Sequence, residues 1–68
     1  MPVIWSGPSN PGNEVAARLR IPRWRLRLAL HEIKRDGKLG ATDRVTIYDD
    51  GTVLDALGEH VGNIYEDS

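Results

Sequence analysis

The stretch RWRLRLALHEIKRDG, from Arg23 to Gly37, decides the fold because its apolar residues recur with helical periodicity. At 100° per residue, one stripe is formed by Leu26, Leu30 and Ile33, with Ala29 beside it. Glycine is typical just after a helix C-terminus, so Gly37 marks the end. The pattern predicts a helix over residues 23–36 with one face on the core.

Next to this apolar stripe, the same helix carries four basic residues and one histidine. This basic row consists of Arg23, Arg27, His31, Lys34 and Lys38. Side chains three or four positions apart share a helix face, so a helix continued through Lys38 would place all five within about 80° of arc. The row is either a solvated face, a footprint for nucleic acid or part of a cleavage site.

A shorter helix is predicted before Pro22, with Asn13 as N-cap and Glu14 at the positive end. Its apolar face is Val15, Ala16 and Leu19. Proline ends this helix and suits the first turn of the next. Residues 1–12 are rich in proline and glycine and are predicted to form an extended arm. Its apolar residues, Val3, Ile4 and Trp5, would pin it to the core, as a loop or as an edge strand. A second apolar patch, Trp24 and Leu28, is a candidate to receive it.

After Lys38 the periodicity becomes that of strands. Strands are predicted at 45–48 (VTIY), 52–55 (TVLD) and 60–65 (HVGNIY). Asp49, Asp50 and Gly51 form a tight hairpin turn between the first two. The predicted architecture is α+β: two N-terminal helices arranged like a helix-turn-helix, then a three-stranded antiparallel β-meander. The predicted organisation is an arm over residues 1–12 and a single domain over 13–68.

The composition and the absence of known motifs argue against several classes of site and partner. A chain of 68 residues forms one small core, and without cysteine it has neither a disulfide nor a thiolate metal site. No apolar run approaches the roughly 20 residues of a membrane span, so no membrane partner is expected. Phosphate-binding and dinucleotide-binding motifs are absent, and no cofactor is expected. The adjacent aspartates Asp49 and Asp50 are explained by the turn, so no metal is predicted.

Charge is unevenly distributed although the formal net charge is only -1. Between Arg18 and Arg44, nine basic residues face three acidic ones, a net of +6. From Val45 onward there are six acidic residues and neither lysine nor arginine, a net of -6. Such separation favours a polyanionic partner for the basic half. The alternative is that the two halves neutralise each other in the fold.

The helix pair with its Ile21-Pro22 corner looks like a DNA-binding helix-turn-helix, with the following hairpin as a wing. In that hypothesis arginines at the start of the second helix contact phosphates or guanine edges. The residues predicted to bind nucleic acid are Arg20, Arg23, Arg25, Arg27, Lys34, Lys38 and Arg44. The competing interpretation is a helical pair that merely covers the sheet.

The catalytic candidates are His31, Lys34 and His60. His31 can move a proton near neutral pH, and Lys34, one turn away, can stabilise charge on a phosphorane-like transition state. His60, with Tyr48 and Tyr65, is a candidate second proton-transfer group or base-stacking surface. A lone surface histidine is more commonly non-catalytic, and such tyrosines more commonly cap a small core.

Three segments in order, LRLALHEIK, VTIYDDGTVLD and LGEHVGNIYED, resemble the C-terminal ends of bacterial polymorphic toxins of the contact-dependent and Rhs types. The resemblance covers Glu14 to Asp67. By position, the family's histidine and lysine fall on His31 and Lys34. The hairpin and closing motifs fall on residues interpreted as structural, namely Gly51, Val53, Asp55, Gly62 and Asn63.

The resemblance implies a toxin tip carried on a larger secreted bacterial protein, acting in the target-cell cytoplasm and neutralised by a cognate immunity protein. Many such tips are ribonucleases that cut tRNA. The leading hypothesis is therefore a domain that binds RNA and cleaves it without a metal. The alternative is a non-enzymatic winged helix-turn-helix that binds DNA, cytoplasmic if free-standing. A third is a protein-interaction domain whose acidic sheet faces a basic partner.

Overall fold

A computed structural model describes residues 1–66; Asp67, an acidic residue of the toxin-like closing motif, lies outside the described residues. The elements in chain order are β1 (Val3–Pro8), α1 (Asn13–Leu19), α2 (Arg23–Arg35), β2 (Arg44–Tyr48), β3 (Thr52–Leu54) and β4 (His60–Asn63). Neither helix within residues 1–66 has the length and apolar character needed to cross a membrane.

The sheet has four strands in the order β1-β2-β3-β4, and every neighbouring pair is antiparallel. Trp5 of β1 lies opposite Ile47 of β2, and Pro8 lies opposite Arg44. The prediction of two helices followed by three strands is therefore wrong, although the α+β character is present. Both helices lie in the connection between the adjacent strands β1 and β2.

The extra strand comes from the segment predicted as an arm, and it takes the second of the two forms left open for that segment, an edge strand. Proline cannot donate to a sheet ladder, but it is tolerated on edge strands, and β1 is an edge strand with Pro8 at its last position. Ile4 and Trp5 are half-buried and pack on the core, while the Trp5 indole N–H donates to the Pro8 carbonyl at 2.9 Å. Burial of these side chains stabilises a strand whose composition resembles a loop.

Helix α1 begins one position differently from the prediction. Gly12 is the N-cap and Asn13 the first helical residue, with no side-chain capping bond, so the predicted Asn13 cap is wrong. The helix ends at Leu19, and the C-cap Arg20 adopts a left-handed conformation with φ of 58°. The Arg20 N–H bonds the Ala16 and Ala17 carbonyls, satisfying groups that a helix end leaves free.

Helix α2 matches the predicted span to within one residue. Pro22 is its N-cap, and its buried face is the predicted stripe, Leu26, Leu30 and Ile33. Asp36 caps the C-terminus and Gly37 has a φ of +75°, a conformation that glycine adopts without the cost a Cβ would add. Because the helix ends at Arg35, Lys38 lies outside the basic row.

The core lies between the helices and one face of the sheet. The strands contribute buried residues to it, namely Val45, Ile47, Val53 and Val61. Helix α1 packs near β1 and α2 near β4. At Gly62 a Cβ would lie 3.0 Å from Cδ1 of Ile33, so the missing side chain lets α2 approach the strand closely.

The predicted hairpin turn between β2 and β3 is confirmed. Gly51 has a φ of +88°, and a Cβ there would meet the Tyr65 ring at 2.7 Å. The third predicted strand is shorter than expected, because β4 ends at Asn63 and Ile64 begins a turn. The Ile64 side chain is fully buried all the same.

No helix among residues 1–66 covers the opposite face of the sheet. Residues paired across neighbouring strands share a face. One such row crosses all four strands on this outer face and consists of Ser6, Thr46, Leu54 and His60. All four are exposed or half-buried, whereas Val45 and Ile47, which flank Thr46, are buried on the helix side. The sheet therefore separates His60 from α2.

Candidate nucleic-acid interface

An open concavity of about 300 Å³ lies between α2 and the segment that joins β1 to α1; we refer to it as the cation groove. It is lined by Pro8, Ser9, Asn10, Pro11, Arg27, Leu30, His31, Lys34 and Asp43. Three of the five residues in the predicted basic row thus line one surface, together with an aspartate from the loop before β2.

Helical geometry explains why these three side chains converge. Arg27, His31 and Lys34 are separated by four and three positions, so each lies one turn from the next on one helix face. Leu30 and Ile33 are buried on the adjacent face and fix the rotation of the helix. Arg27, His31 and Lys34 are all exposed, as expected of a ligand-facing edge.

The loop side of the cation groove is held by Asp43. Its carboxylate accepts a hydrogen bond from the Ser9 hydroxyl at 2.7 Å and one from the Lys34 ammonium at 3.1 Å. The Asp43 carbonyl accepts a bond from the Ser9 N–H at 3.0 Å. Asp43 also has a φ of 55°, in the left-handed region that few residues other than glycine occupy. Three contacts therefore hold a strained residue at the rim.

These contacts change the acidity of Asp43. The Ser9 hydroxyl, and then the Lys34 ammonium, lower the pKa of the Asp43 carboxyl below its ordinary value. Both partners favour the charged carboxylate, which therefore stays ionised at neutral pH. Asp43 offsets part of the Lys34 charge, and Arg27 and His31 remain as the other cationic or ionisable side chains of the groove.

Among residues 1–66, the two charged halves of the chain do not neutralise each other through close ion pairs. Within residues 1–66 the one ion pair is Lys34–Asp43, and both residues belong to the basic segment. Their side chains are 59% and 41% exposed, so water screens the pair. Most of the positive charge between Arg18 and Arg44 is left open to a partner.

We expect Asp43→Asn to destabilise the protein at pH 7 and to remove part of its acid sensitivity. Asparagine also tolerates the left-handed conformation, so the change isolates the charge. A carboxyl whose pKa is lowered in the folded state stabilises that state above its unfolded pKa, about 3.9, and loses the contribution as pH falls through the folded value. At pH 7, urea unfolding should give a lower free energy of unfolding for the variant than for wild type. This difference should disappear below about pH 4.

Asp49→Asn is the matched control for that experiment, because the Asp49 carboxylate accepts no hydrogen bond from residues 1–66. Its unfolding free energy should stay close to that of wild type at both pH values. If the difference in unfolding free energy between wild type and Asp43→Asn persisted unchanged in acid, the stabilising contacts of Asp43 would not depend on its ionised carboxylate.

The remaining predicted cations do not line the cation groove. Arg23 is exposed one turn before Arg27, and Arg20 is exposed at the end of α1. Arg25 is half-buried, and its Nε is buried without a partner among the described residues. Lys38 lines a different concavity, beside β4. Arg44 is paired with Pro8 at the start of β2, beyond the groove.

His60 is not brought together with His31. It lies exposed on β4, in the row of the outer face, whereas His31 lies on the helix side. Strands are spaced by about 4.8 Å, so β4 is also about 14 Å across the sheet from β1, whose end borders the groove. The Tyr65 hydroxyl donates to the Leu19 carbonyl at 2.8 Å, a structural contact. Tyr48 is half-buried on β2.

Two acidic residues of the second half, Asp50 and Asp55, have local structural roles. An oxygen of Asp50 accepts the Thr52 N–H, which lowers the pKa of the Asp50 carboxyl. An oxygen of Asp55 accepts the N–H groups of Leu57 and Glu59 and shapes the turn before β4. Over the part of the chain that the structure describes, no three histidine, aspartate or glutamate residues come together as a metal site would require.

Sequence reasoning missed Ser9 and Asp43. They are 34 positions apart and meet only because β1 pairs with β2. Once Val3–Pro8 is recognised as the partner of Arg44–Tyr48, the residues that follow and precede these strands become neighbours. Strand pairing was the signal that would have found them.

Comparison of the chain with protein-family models, with curated proteins and with solved structures gave no match.

Proposed function

We propose that this domain binds RNA through the cation groove and cleaves it without a metal ion. The observation that carries the proposal is the convergence of Arg27, His31 and Lys34 on one open surface. Two cationic side chains and one imidazole, the side chain that most often transfers protons in enzymes, match what RNA cleavage needs, because RNA supplies its own nucleophile.

Phosphate binding is the role of the arginines and the lysine. A planar guanidinium can bond a phosphate in bidentate fashion, which suits Arg27 beside the histidine. Arg23, one turn earlier, extends the positive edge toward a neighbouring phosphate. The Lys34 ammonium lies 3.1 Å from the Asp43 carboxylate, which places it at the loop side of the groove.

In the proposed reaction His31 is the general base. The 2′-oxygen of the ribose forms a bond to phosphorus while His31 takes its proton, and the bond from phosphorus to the 5′-oxygen breaks. The Lys34 ammonium gives a proton to the departing 5′-oxygen, and Arg27 stabilises the extra charge on the phosphorane. The products are a 2′,3′-cyclic phosphate and a 5′-hydroxyl. His60, on the other face of the sheet, has no part in this scheme.

The resemblance to polymorphic-toxin tips supports tRNA as the substrate and an immunity protein as the partner. An inhibitor of this mechanism would cover the cation groove with carboxylates, since a surface that attracts phosphate also attracts acidic side chains. In this proposal the domain is the tip of a secreted bacterial toxin that acts in the cytoplasm of the target cell.

The purified chain is expected to degrade tRNA in the presence of EDTA and to leave 2′,3′-cyclic phosphate ends. Gel electrophoresis and mass spectrometry of the fragments measure both features. DNA of the same sequence is the matched control, because it lacks the 2′-hydroxyl nucleophile and should stay intact. Undegraded tRNA at high protein concentration, or cleavage abolished by EDTA, would contradict the proposal.

The alternative, a winged helix-turn-helix that binds DNA, is less well supported. The tip of the would-be wing is the β2–β3 turn, which carries Asp49 and Asp50. Two carboxylates at the tip would be repelled by the DNA backbone. This alternative predicts tight, salt-sensitive binding to duplex DNA and no cleavage of RNA.

A further inference from the structure

The first two turns of α2 carry an apolar surface that no described element covers. We call it the Trp24 patch, and it consists of Trp24, 65% exposed, and Leu28, 39% exposed. The two residues are four positions apart and therefore lie on one helix face. The expected cover, the N-terminal arm, forms β1 instead, and its Trp5 packs on the core.

The Trp24 patch adjoins the cation groove. An open concavity of about 400 Å³ lies on the patch and is lined by Trp24, Arg27, Leu28 and His31. Arg27 and His31 line the cation groove as well. The same two side chains thus have an aromatic, apolar surface on one side and a cationic, polar surface on the other.

We propose that the Trp24 patch stacks an unpaired nucleobase of a single-stranded RNA whose phosphate lies in the cation groove. This inference rests on the proposed function and specifies its substrate. A nucleotide joins a flat base with apolar faces to an anionic phosphate, which matches an indole beside a guanidinium. Indole rings stack on bases of any sequence, and Arg27 can add a cation–π contribution.

A single-stranded region is required because bases inside a duplex are already stacked on each other. The loops and ends of a folded RNA offer bases that can be splayed onto an aromatic side chain. A domain built this way would prefer loops to helical stems, whatever the sequence around the cleaved bond.

A base fits the Trp24 patch better than a protein partner or a second copy of the chain. Stable protein interfaces bury about 800 Å² on each partner, whereas this patch consists of two side chains. It is also bordered by the cation Arg27, with Arg23 at the start of the same helix. Two copies meeting face to face would bring these arginines together, while the phosphates of an RNA strand would neutralise them.

The test is equilibrium binding of the full chain to a short single-stranded RNA carrying 2′-O-methyl groups, which cannot be cleaved because the nucleophile is blocked. Trp24→Ala should bind this strand about 5- to 150-fold more weakly, the range found when a stacking aromatic is truncated. Trp24→Phe should retain most of the affinity. An abasic strand of equal length should bind wild type and Trp24→Ala alike.

Trp24→Ala should fold normally because the indole is mostly exposed, and circular dichroism checks this. Fluorescence adds a direct signal. The single strand should quench the indole emission of wild type, and this quenching should be absent in Trp24→Phe, in which Trp5 is the remaining tryptophan.

The failure of this inference is distinguishable from failure of the proposed function. If Trp24→Ala bound RNA with unchanged affinity while Arg27→Gln bound it more weakly, the stacking site would be overturned, but RNA binding in the cation groove would still be supported. Binding that depends on Trp24 without any cleavage of unmodified RNA would support the stacking site and overturn the nuclease. Absence of RNA binding by wild type would overturn both. A dimer that Trp24→Ala dissociates, with unchanged RNA affinity, would assign the patch to a second copy and overturn the stacking site.

Discussion

Replacing His31 with glutamine is expected to slow RNA cleavage by about 100- to 10,000-fold, the range that a positioned general base or acid contributes. Glutamine keeps a polar side chain of similar size but cannot exchange a proton near neutral pH. His31 is exposed on α2, and glutamine is a good helix former, so the fold should be unaffected. Single-turnover cleavage of tRNA in EDTA measures the rate, and binding should change little.

His60→Gln is the matched control, because it makes the same chemical change on the outer face of the sheet. It should cleave at nearly the wild-type rate. The opposite pattern, an active His31→Gln and an inactive His60→Gln, would move the chemistry from the cation groove to the outer face and contradict the proposed mechanism.

Replacing Leu26 with alanine is expected to lower the free energy of unfolding by about 2–5 kcal/mol, the usual cost of truncating a buried leucine. Leu26 is 0% exposed and belongs to the core cluster between α2 and the sheet. A domain of this size has a total stability of about 3–10 kcal/mol at 0.05–0.15 kcal/mol per residue. Urea or thermal unfolding should therefore show a much less stable variant, and activity should be lost with the fold.

Leu28→Ala is the control for Leu26→Ala because it makes the same truncation two residues away on the exposed side of the helix. Its expected cost is below about 1 kcal/mol, as for most surface substitutions. Equal losses at the two positions would contradict the rotation of α2 about its axis, and with it the assignment of the cation groove to the exposed face.

The parts of the fold that could be predicted are those fixed by local sequence. The stripe at Leu26, Leu30 and Ile33 predicted α2 and its buried face, and the Asp-Gly turn at Gly51 predicted the β2–β3 hairpin. The helix side of the groove followed from the same periodicity, because residues three and four apart share a face. Each of these inferences needed only neighbouring residues.

The parts that could not be predicted depend on pairing over long stretches of sequence. Strand β1 has two prolines at or next to its ends, and it becomes a strand because β2, some 40 positions later, offers a free edge and a core surface for Trp5. The Ser9–Asp43 contact depends on that pairing. The prediction that His60 assists His31 assumed that the two residues are close together. His60 instead lies on the outer face of the sheet, and His31 lies on the helix side.

The most direct test of the central claim is NMR mapping of the RNA contact. Amide chemical shifts of isotope-labelled His31→Gln protein, which should bind RNA but cleave it far more slowly than wild type, would be followed as single-stranded RNA is added. The largest shifts are expected at Ser9, Arg27, position 31 and Lys34, around the cation groove. Shifts confined to the outer row of the sheet, at Thr46, Leu54 and His60, would contradict an RNA-binding surface on α2.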